Sequence, residues 1–277
     1  MKIGYTVWSW TKDEFSGPTD HGKRDFEQAL KEVSYLGYNY VEDFNFIVPL
    51  FENNPEELKQ LLNRYNLELV NLYHTYYEDE VNKYLDLGER TCKILQYCGA
   101  KVLNVQGNIW KDQPFVRSLD IEAVKMYADV FTKMGEISQK YDITTCLHPH
   151  AHTRMFHEDE IDCFLSITDR NLIGLTMDTA HTTLAGMDAV KAFDKYGDRI
   201  QYVHLKDLDP DPEAHADWPM NRFLALGQGV IDFKGVIKVL KKHNYKGVLC
   251  VELDCPLVCN FESAQYSRRY IKDVLAL

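Results

Sequence analysis

Four short segments in the second half of the chain end in side chains that can bind a metal ion or move a proton. They are CLHPH, LTMD, YVHLK and CVELD, and each begins with apolar residues that suit a buried strand. The candidate ligands at their ends are His148, Asp178, His204 and Glu252. Two imidazoles and two carboxylates form a mixed nitrogen and oxygen set that suits a divalent first-row metal ion. The sequence therefore predicts one metal site, with Mn²⁺ or Co²⁺ favoured and Zn²⁺, Fe²⁺ or Mg²⁺ as alternatives.

Each of these residues also has a purely structural interpretation. A single acid at a strand end is more commonly a helix cap or an ion-pair partner, and a lone buried histidine is usually hydrogen-bonded within the scaffold. The combination changes this balance, because a charge at the end of an apolar strand must be paired or metal-bound to avoid a desolvation cost of several kcal/mol. Four such ends in four consecutive segments favour the metal site.

Apolar runs alternate with helical patterns along the whole chain, and these elements must position the candidate ligands. Strands are predicted at 2–8, 38–42, 68–73, 101–106, 143–148, 173–178, 200–204 and 247–252, and helices near 24–36, 55–65, 79–98, 120–140, 157–167, 187–196, 232–243 and 260–275. Short strands rich in Val, Ile and Leu are typical of parallel sheets covered on both faces. Eight strand–helix units predict an α/β fold, a (β/α)8 TIM barrel that forms a single domain over residues 1–277.

The active sites of such barrels lie at the C-terminal ends of the strands, which places all four candidate ligands at one rim. His150, His181 and Lys206 follow the same strand ends and are candidate catalytic residues. Lys206 could hold a developing oxyanion or a substrate hydroxyl. With about equal weight, it could simply pair with Asp178, Asp207 or Asp209.

Other residues near predicted strand ends could contact a substrate. Glu42 could hold a substrate hydroxyl or pair with Lys206. The aromatic and histidine side chains expected to form a wall are Trp8, Tyr73, His74 and Trp110. A long connection from 206 to 231 carries Trp218 and Arg222, which could close over the substrate, since loops of this length are commonly functional.

Composition limits the classes of partner. The chain has 277 residues and a net charge of −11, which argues against nucleic-acid binding because phosphate affinity comes from Lys and Arg. No apolar run is long enough to span a membrane, and the N-terminal residues do not resemble a signal peptide. Seven cysteines without a C-x-x-C pair suggest reduced thiols in a cytoplasmic protein. Homo-oligomers are common among soluble enzymes, although the sequence assigns no interface.

Several segments resemble the sugar phosphate isomerase/epimerase family of xylose isomerase-like barrels, and within it the inosose (2-keto-myo-inositol) dehydratases. They are LHPHAHTRMFHEDEID, LTMDTAHTTLAGMDAVKAFDKYGDRIQYVHLKDLD, LGQGVIDFKGVI and VELD. The resemblance spans nearly the whole chain and implies one divalent metal ion held by His148, Asp178, His204 and Glu252. It also implies substrate or outer contacts for His150, His181 and Lys206, a keto-polyol or keto-sugar substrate, and a place in inositol catabolism.

One departure from the family pattern bears on the reaction. Epimerases of this family resemble one another in carrying a glutamate at the end of strand five, where this chain has His148. A neutral histidine ligand does not easily act as a second base, so the departure favours elimination of water over two-base epimerisation. The expected base is His150, with Glu252 as the second candidate, and the expected acid is His181 or a relay through Lys206.

The alternatives that stay open are a keto-sugar epimerase or isomerase, a 3-keto-glycoside lyase, a dehydroshikimate dehydratase and a non-catalytic barrel subunit. A metal-dependent abasic-site endonuclease shares the barrel. It is disfavoured by the negative charge and by the single well-assembled ligand set.

Overall fold

The structure is a computed structural model of the chain, and it describes residues 1–110, 118–211, 213, 219–254, 256 and 258–277. Trp218, expected to contact substrate, lies outside the described residues. Within them, no helix combines the length and the apolar composition needed to cross a membrane.

Eight parallel strands close into a barrel, which confirms the predicted fold. They are β1 Lys2–Thr6, β2 Tyr40–Phe44, β3 Glu68–Tyr76, β4 Val102–Gly107, β5 Thr144–Leu147, β6 Ile173–Asp178, β7 Ile200–Leu205 and β8 Val248–Val251. Each strand pairs with its neighbours in chain order, and β1 closes the ring against β8, with Gly4 opposite Cys250. The C-terminal ends of all eight strands therefore meet at one rim.

The principal helices surround this barrel. They are α1 Gly22–Tyr35, α2 Pro55–Arg64, α3 Val81–Cys98, α4 Ile121–Gln139, α5 Glu158–Ile167, α6 Ala189–Tyr196, α7 Phe233–Lys242 and α8 Asn260–Asp273. Aspartate caps begin several of them. Asp232 caps α7 by accepting a hydrogen bond from the backbone N–H of Gly235 at 2.9 Å.

The two faces of the barrel strands bury different chemistry. Outward-facing residues such as Leu72, Val203 and Leu249 join the main apolar core between the barrel and the helices. In contrast, fully buried polar residues lie inside the barrel, namely Glu42, Asn71, Asn104, Thr176 and His204. Buried polar groups need partners. The interior of this barrel is thus a hydrogen-bonded network rather than an apolar filling.

The predicted element bounds differ from the observed ones near the site. β5 ends at Leu147, so His148 follows the strand instead of ending it. A short helix, Thr179–Leu184, precedes α6 and was not predicted. It begins where the Asp178 side chain accepts a hydrogen bond from the backbone N–H of His181. Asp178 is therefore both a strand end and a helix cap.

The Asp207 side chain holds the long connection after β7 in place by hydrogen bonds. Its carboxylate accepts hydrogen bonds from the backbone N–H groups of Leu208, Gly227, Gly229 and Ile231, at 2.9 to 3.1 Å. The segment Asp207–Leu208 also pairs with Phe223–Leu224 as an antiparallel ribbon. The GQG segment at 227–229 forms a turn. A Cβ at Gly229 would overlap with the Leu208 carbonyl oxygen.

We expect Asp207→Asn to lower the free energy of unfolding by about 2–4 kcal/mol, because an amide nitrogen would replace one oxygen that accepts buried N–H groups. Chemical denaturation measures the change. Asp209→Asn, two residues along the same segment, is the matched control, since among the described residues the Asp209 side chain accepts one hydrogen bond, from the backbone N–H of Asp211. Equal stability of the two variants would contradict the role of Asp207.

Candidate metal centre

The structure brings His148, Asp178, His204 and Glu252 together at the C-terminal rim. One ligand atom from each side chain lies within 4.8 Å of all the others, and all four residues are buried. Each comes from a different strand end, on β5, β6, β7 and β8. Neighbouring parallel strands therefore deliver the set that the sequence singled out.

The distances between these atoms suit ligands around one ion. Nδ1 of His204 lies 3.1 Å from Nε2 of His148 and 3.0 Å from Oε2 of Glu252. Oδ2 of Asp178 lies 3.9 Å from Nε2 of His148 and 4.0 Å from Nδ1 of His204. Ligands about 2.0–2.2 Å from a first-row metal ion have separations of this order. Within the described residues, Asp178 Oδ2 has no hydrogen-bond partner, which fits a donor atom aimed at an ion.

Lys206 lies beside this ligand set, where its ammonium group contacts carboxylates. Its Nζ is 2.8 Å from Asp254 Oδ2, 2.9 Å from Glu252 Oε2 and 3.7 Å from Asp178 Oδ2. Burial opposes its charge, but the three carboxylates outweigh this and raise the pKa of Lys206. In the described part of the chain, one ammonium therefore faces three carboxylates, which leaves negative charge for a dication to neutralise.

Two further histidines adjoin the ligand set. The ring centres of His150 and His181 are 3.9 Å apart, and that of His181 is 5.4 Å from His148. Burial lowers the pKa of His150 to about 3 and holds the pKa of His181 well below its usual range, so both rings are neutral at pH 7. His181 Nδ1 accepts from the backbone N–H of Ala151 at 3.2 Å, which assigns the proton to Nε2.

A spacing of two residues explains why these side chains meet. Successive residues of a strand point to opposite faces, so residues two apart share a face. His204 and Lys206 both face the cluster from the end of β7, and Glu252 and Asp254 do so from the end of β8. The histidine and the lysine of YVHLK therefore project to the same side. His204 belongs to the ligand set, and Lys206 lies beside the carboxylates.

The same alternation places His74 on the other face of β3. The preceding residue, Tyr73, faces inward, with its ring centre 5.3 Å from that of His148. His74 faces the helix layer, where it contacts Asn45 Nδ2 at 2.7 Å and the Tyr84 carbonyl oxygen at 2.8 Å. His74 therefore faces away from the ligand set, and its role as a substrate contact stays a prediction.

Glu42 also differs from expectation. It pairs with His204 instead of Lys206: its two carboxylate oxygens lie 2.8 and 3.1 Å from His204 Nε2. Its side chain is fully buried, and its oxygens contact His204, Asn71 and Asn104 inside the barrel. The Lys206 ammonium pairs mainly with Asp254 and Glu252, while Asp207 holds backbone amides.

The remaining predicted contacts lie farther out. Trp110 is 40% exposed, and its backbone N–H donates to the His152 carbonyl oxygen at 2.7 Å. Arg222 donates to the Asp209 carbonyl oxygen at 2.7 Å. Trp8 packs against Phe44 with ring centres 5.5 Å apart. None of these three contacts reaches a ligand residue.

The sequence analysis did not predict two sets of contacts around the cluster, one made by Phe223 and one by Asn71 and Asn104. Phe223, on the long connection, lies with its ring centre 4.6 Å from Lys206 Nζ and 4.8 Å from the His181 ring. Asn71 and Asn104 contact Glu42 inside the barrel. The asparagines carried a usable signal, since each interrupts an apolar strand two residues before an inward-facing Tyr73 or Gln106. Nothing local in the sequence indicated the aromatic contact.

Fold and cluster together define a TIM barrel with a four-residue candidate metal centre at the C-terminal rim of its strands. The model for the xylose isomerase-like TIM barrel family matches residues 30–274, and the chain belongs to this family. Its relatives and structural neighbours include dehydratases and epimerases, and it is an enzyme of this dehydratase/isomerase class.

Three similar proteins illustrate the relationship. Inosose dehydratase of Clostridium beijerinckii is 29% identical over 301 residues, with 99% of this chain and 97% of that protein covered. The crystal structure of IolI with a bound zinc atom has a TM-score of 0.77 at 17% identity and covers 100% of this chain and 98% of its own. The 3-keto-D-glucoside 4-epimerase YcjR of E. coli has a TM-score of 0.75 at 16% identity, with 99% of both chains covered.

Metal affinity is expected to rise with pH. Burial opposes the charge on His204, but Glu252 and Glu42 outweigh it and hold the pKa of His204 well above its usual range in the metal-free protein. A metal ion at Nδ1 must then displace a proton. Over the pH range below the raised pKa of His204, the dissociation constant for Mn²⁺ should fall about tenfold per pH unit. Calorimetry in buffers of different ionisation enthalpy measures both affinity and proton release, and a pH-independent constant without proton release would contradict this assignment.

Proposed function

We propose that this protein is a metal-dependent hydro-lyase that removes water from an unphosphorylated keto-polyol, with a keto-inositol as the substrate class. One observation carries the proposal: four ligand atoms converge beside neutral His150 and His181 and cationic Lys206. The inosose dehydratase relative supports the substrate class.

The proposed centre is held by His148, Asp178, His204 and Glu252. A bound divalent ion supplies a Lewis acid for a substrate ketone, which acidifies the neighbouring C–H. Mn²⁺ or Co²⁺ suits the mixed nitrogen and oxygen donors, and the zinc atom in the IolI structure makes Zn²⁺ a direct competitor in the metal test.

His150 is our first candidate for the base. Its Nδ1 lies 2.7 Å from the Ala151 carbonyl oxygen, so Nδ1 carries the proton and Nε2 keeps a free lone pair. Its lowered pKa keeps it unprotonated and available through the neutral range. Glu252 is the second candidate, because its carboxylate faces the same cluster with its pKa held well below the usual range despite burial, by His204 and Lys206.

The proposed elimination moves one proton from carbon to the departing oxygen. The α-proton passes to the base and the C–O bond to the β-hydroxyl breaks. The departing hydroxide takes a proton from His181 Nε2 or Lys206 as the protonated base replaces that proton, and it leaves as water. Return of the proton from the base restores the starting state. Lys206 stays charged because of its raised pKa, and it stabilises negative charge on the substrate oxygen.

Epimerisation or isomerisation of a keto-sugar is the second candidate. The similarity to YcjR makes it a serious alternative. The residues that follow β5 and adjoin the cluster are His148 and His150, whereas two-base epimerisation is better served by a carboxylate on each side of the substrate carbon. This difference favours elimination.

We further propose that the enzyme acts in the cytoplasm, in inositol catabolism. The cysteines of the described residues are free thiols, which suits a reducing compartment.

The proposal is tested on metal-stripped protein reloaded with Mn²⁺, Co²⁺ or Zn²⁺. Keto-inositols, 3-keto-glycosides and dehydroshikimate are supplied in H₂O and D₂O, and the products are analysed by mass spectrometry. We expect a keto-inositol to lose water only with metal present. His148→Ala and Glu252→Ala should abolish both metal binding and turnover, whereas His21→Ala, on a histidine that pairs with Asp25 at the surface, should do neither.

Deuterium in a product of unchanged formula would establish the epimerase instead. Release of an aglycone would indicate a 3-keto-glycoside lyase. A wild-type protein that binds none of the three ions would overturn the proposal.

Lys206→Met should separate metal binding from turnover. The Lys206 ammonium is not a ligand, and its loss removes a cation that competes for Glu252. We expect metal affinity to be retained while kcat falls about 10²–10³-fold, the loss typical of one donor to a developing oxyanion. Steady-state kinetics and chelator competition measure the two effects, and loss of metal with unchanged kcat in excess metal would contradict the role.

A further inference from the structure

Glu42 lies inside the barrel beneath the candidate metal centre and contacts one ligand from behind. Its Oε1 and Oε2 are 2.8 and 3.1 Å from His204 Nε2, on the opposite side of the ring from the ligand atom Nδ1. Both residues are fully buried. The Glu42 carboxylate can therefore affect the candidate metal centre only through the imidazole ring of His204.

Two asparagines hold this carboxylate in place. Nδ2 of Asn71 donates to Glu42 Oε2 at 2.6 Å, and Nδ2 of Asn104 donates to the same oxygen at 3.2 Å. Asn71 is itself fixed, because its Oδ1 accepts the backbone N–H of Asn104 at 2.8 Å. The Thr176 hydroxyl donates to Asn104 Oδ1 and fixes that amide in turn. Strands β2, β3, β4 and β6 thus combine to orient one carboxylate.

This arrangement decides which nitrogen of His204 can act as a ligand. A carboxylate accepts hydrogen bonds, so Nε2 must carry the proton that it donates to Glu42. In the neutral ring, Nδ1 then presents its lone pair toward His148 Nε2 and Glu252 Oε2. His148 lacks such support, since its Nδ1 has no hydrogen-bond partner in the described ranges of the chain.

We propose that Glu42 is a positioning residue that sets the tautomer and the orientation of His204 and thereby the metal affinity of the centre. The inference rests on the proposed metal centre and extends it from the rim into the barrel interior. Carboxylates behind metal-binding histidines typically change metal affinity about 10–100-fold. Glu42 then acts on the ion without touching either the ion or the substrate.

The test compares Glu42→Gln with Asp43→Asn. Asp43 is the next residue of β2, is equally buried, and accepts hydrogen bonds from the Thr11 hydroxyl and the backbone N–H of Phe44 on the other face. The two variants therefore make the same chemical change on opposite faces of one strand. In Glu42→Gln the side chain keeps one acceptor oxygen instead of two and carries no charge.

We expect Glu42→Gln to weaken Co²⁺ binding about 10–100-fold in chelator competition and to alter the visible absorption spectrum of bound Co²⁺. Asp43→Asn should keep the wild-type affinity and spectrum. Thermal unfolding of the metal-free proteins is recorded alongside, because a purely structural role would lower stability and leave the affinity and spectrum of the folded protein unchanged.

Three results would overturn the inference. If Glu42→Gln binds Co²⁺ like the wild type with the same spectrum, Glu42 does not position His204, and the metal centre stands without it. If both variants weaken binding equally, the effect is one of β2 stability. If the wild type binds no Co²⁺, Mn²⁺ or Zn²⁺, the proposed function fails together with the inference.

Discussion

The close approach of carboxylates within a largely buried rim is the constraint on which the site depends. Asp178, Glu252 and Asp254 surround the ammonium of Lys206, and Glu42 lies deeper behind His204. In the described part of the chain, Lys206 is the one lysine or arginine that pairs with these acids. Desolvated like charges are costly unless paired or coordinated. The imbalance explains why histidine nitrogens and carboxylate oxygens face each other around a space suited to a dication.

The rest of the barrel is arranged to maintain that balance. The outward faces of the strands bury apolar residues against the helices, so the sheet is fixed from outside. The inward faces carry a hydrogen-bonded network that ends at His204. Because each member of this network comes from a different strand, its geometry follows from barrel closure and does not depend on a flexible loop. In the long connection after β7, the buried carboxylate of Asp207 likewise accepts several hydrogen bonds, in this case from backbone N–H groups.

The sequence predicted the barrel and the ligand candidates because both leave local patterns. Alternating strand and helix signals gave the fold, and polar residues after apolar runs gave His148, Asp178, His204 and Glu252. The face of the strand to which each side chain points was harder to predict. Tyr73 and His74 are adjacent and both lie near a strand end, and only strand contacts show that Tyr73 faces the ligands while His74 faces α3. The sequence analysis assigned Glu42 to the correct strand end but expected it to pair with Lys206, whereas it pairs with His204. The depth of a side chain in the barrel is not a local property of the sequence.

By itself, the chain determined which side chains end each strand and, through the two-residue alternation, which of them share a face. The tertiary structure alone decided which atoms meet. Register shifts between Val41 and Glu42 on β2 and between Leu175 and Thr176 on β6 set Glu42 beside Asn71 and Asp178 beside His204. Such shifts arise from barrel closure and twist, which couple strands far apart in sequence. Contacts that depend on this coupling, above all the one between Glu42 and His204, therefore have no counterpart in any local pattern.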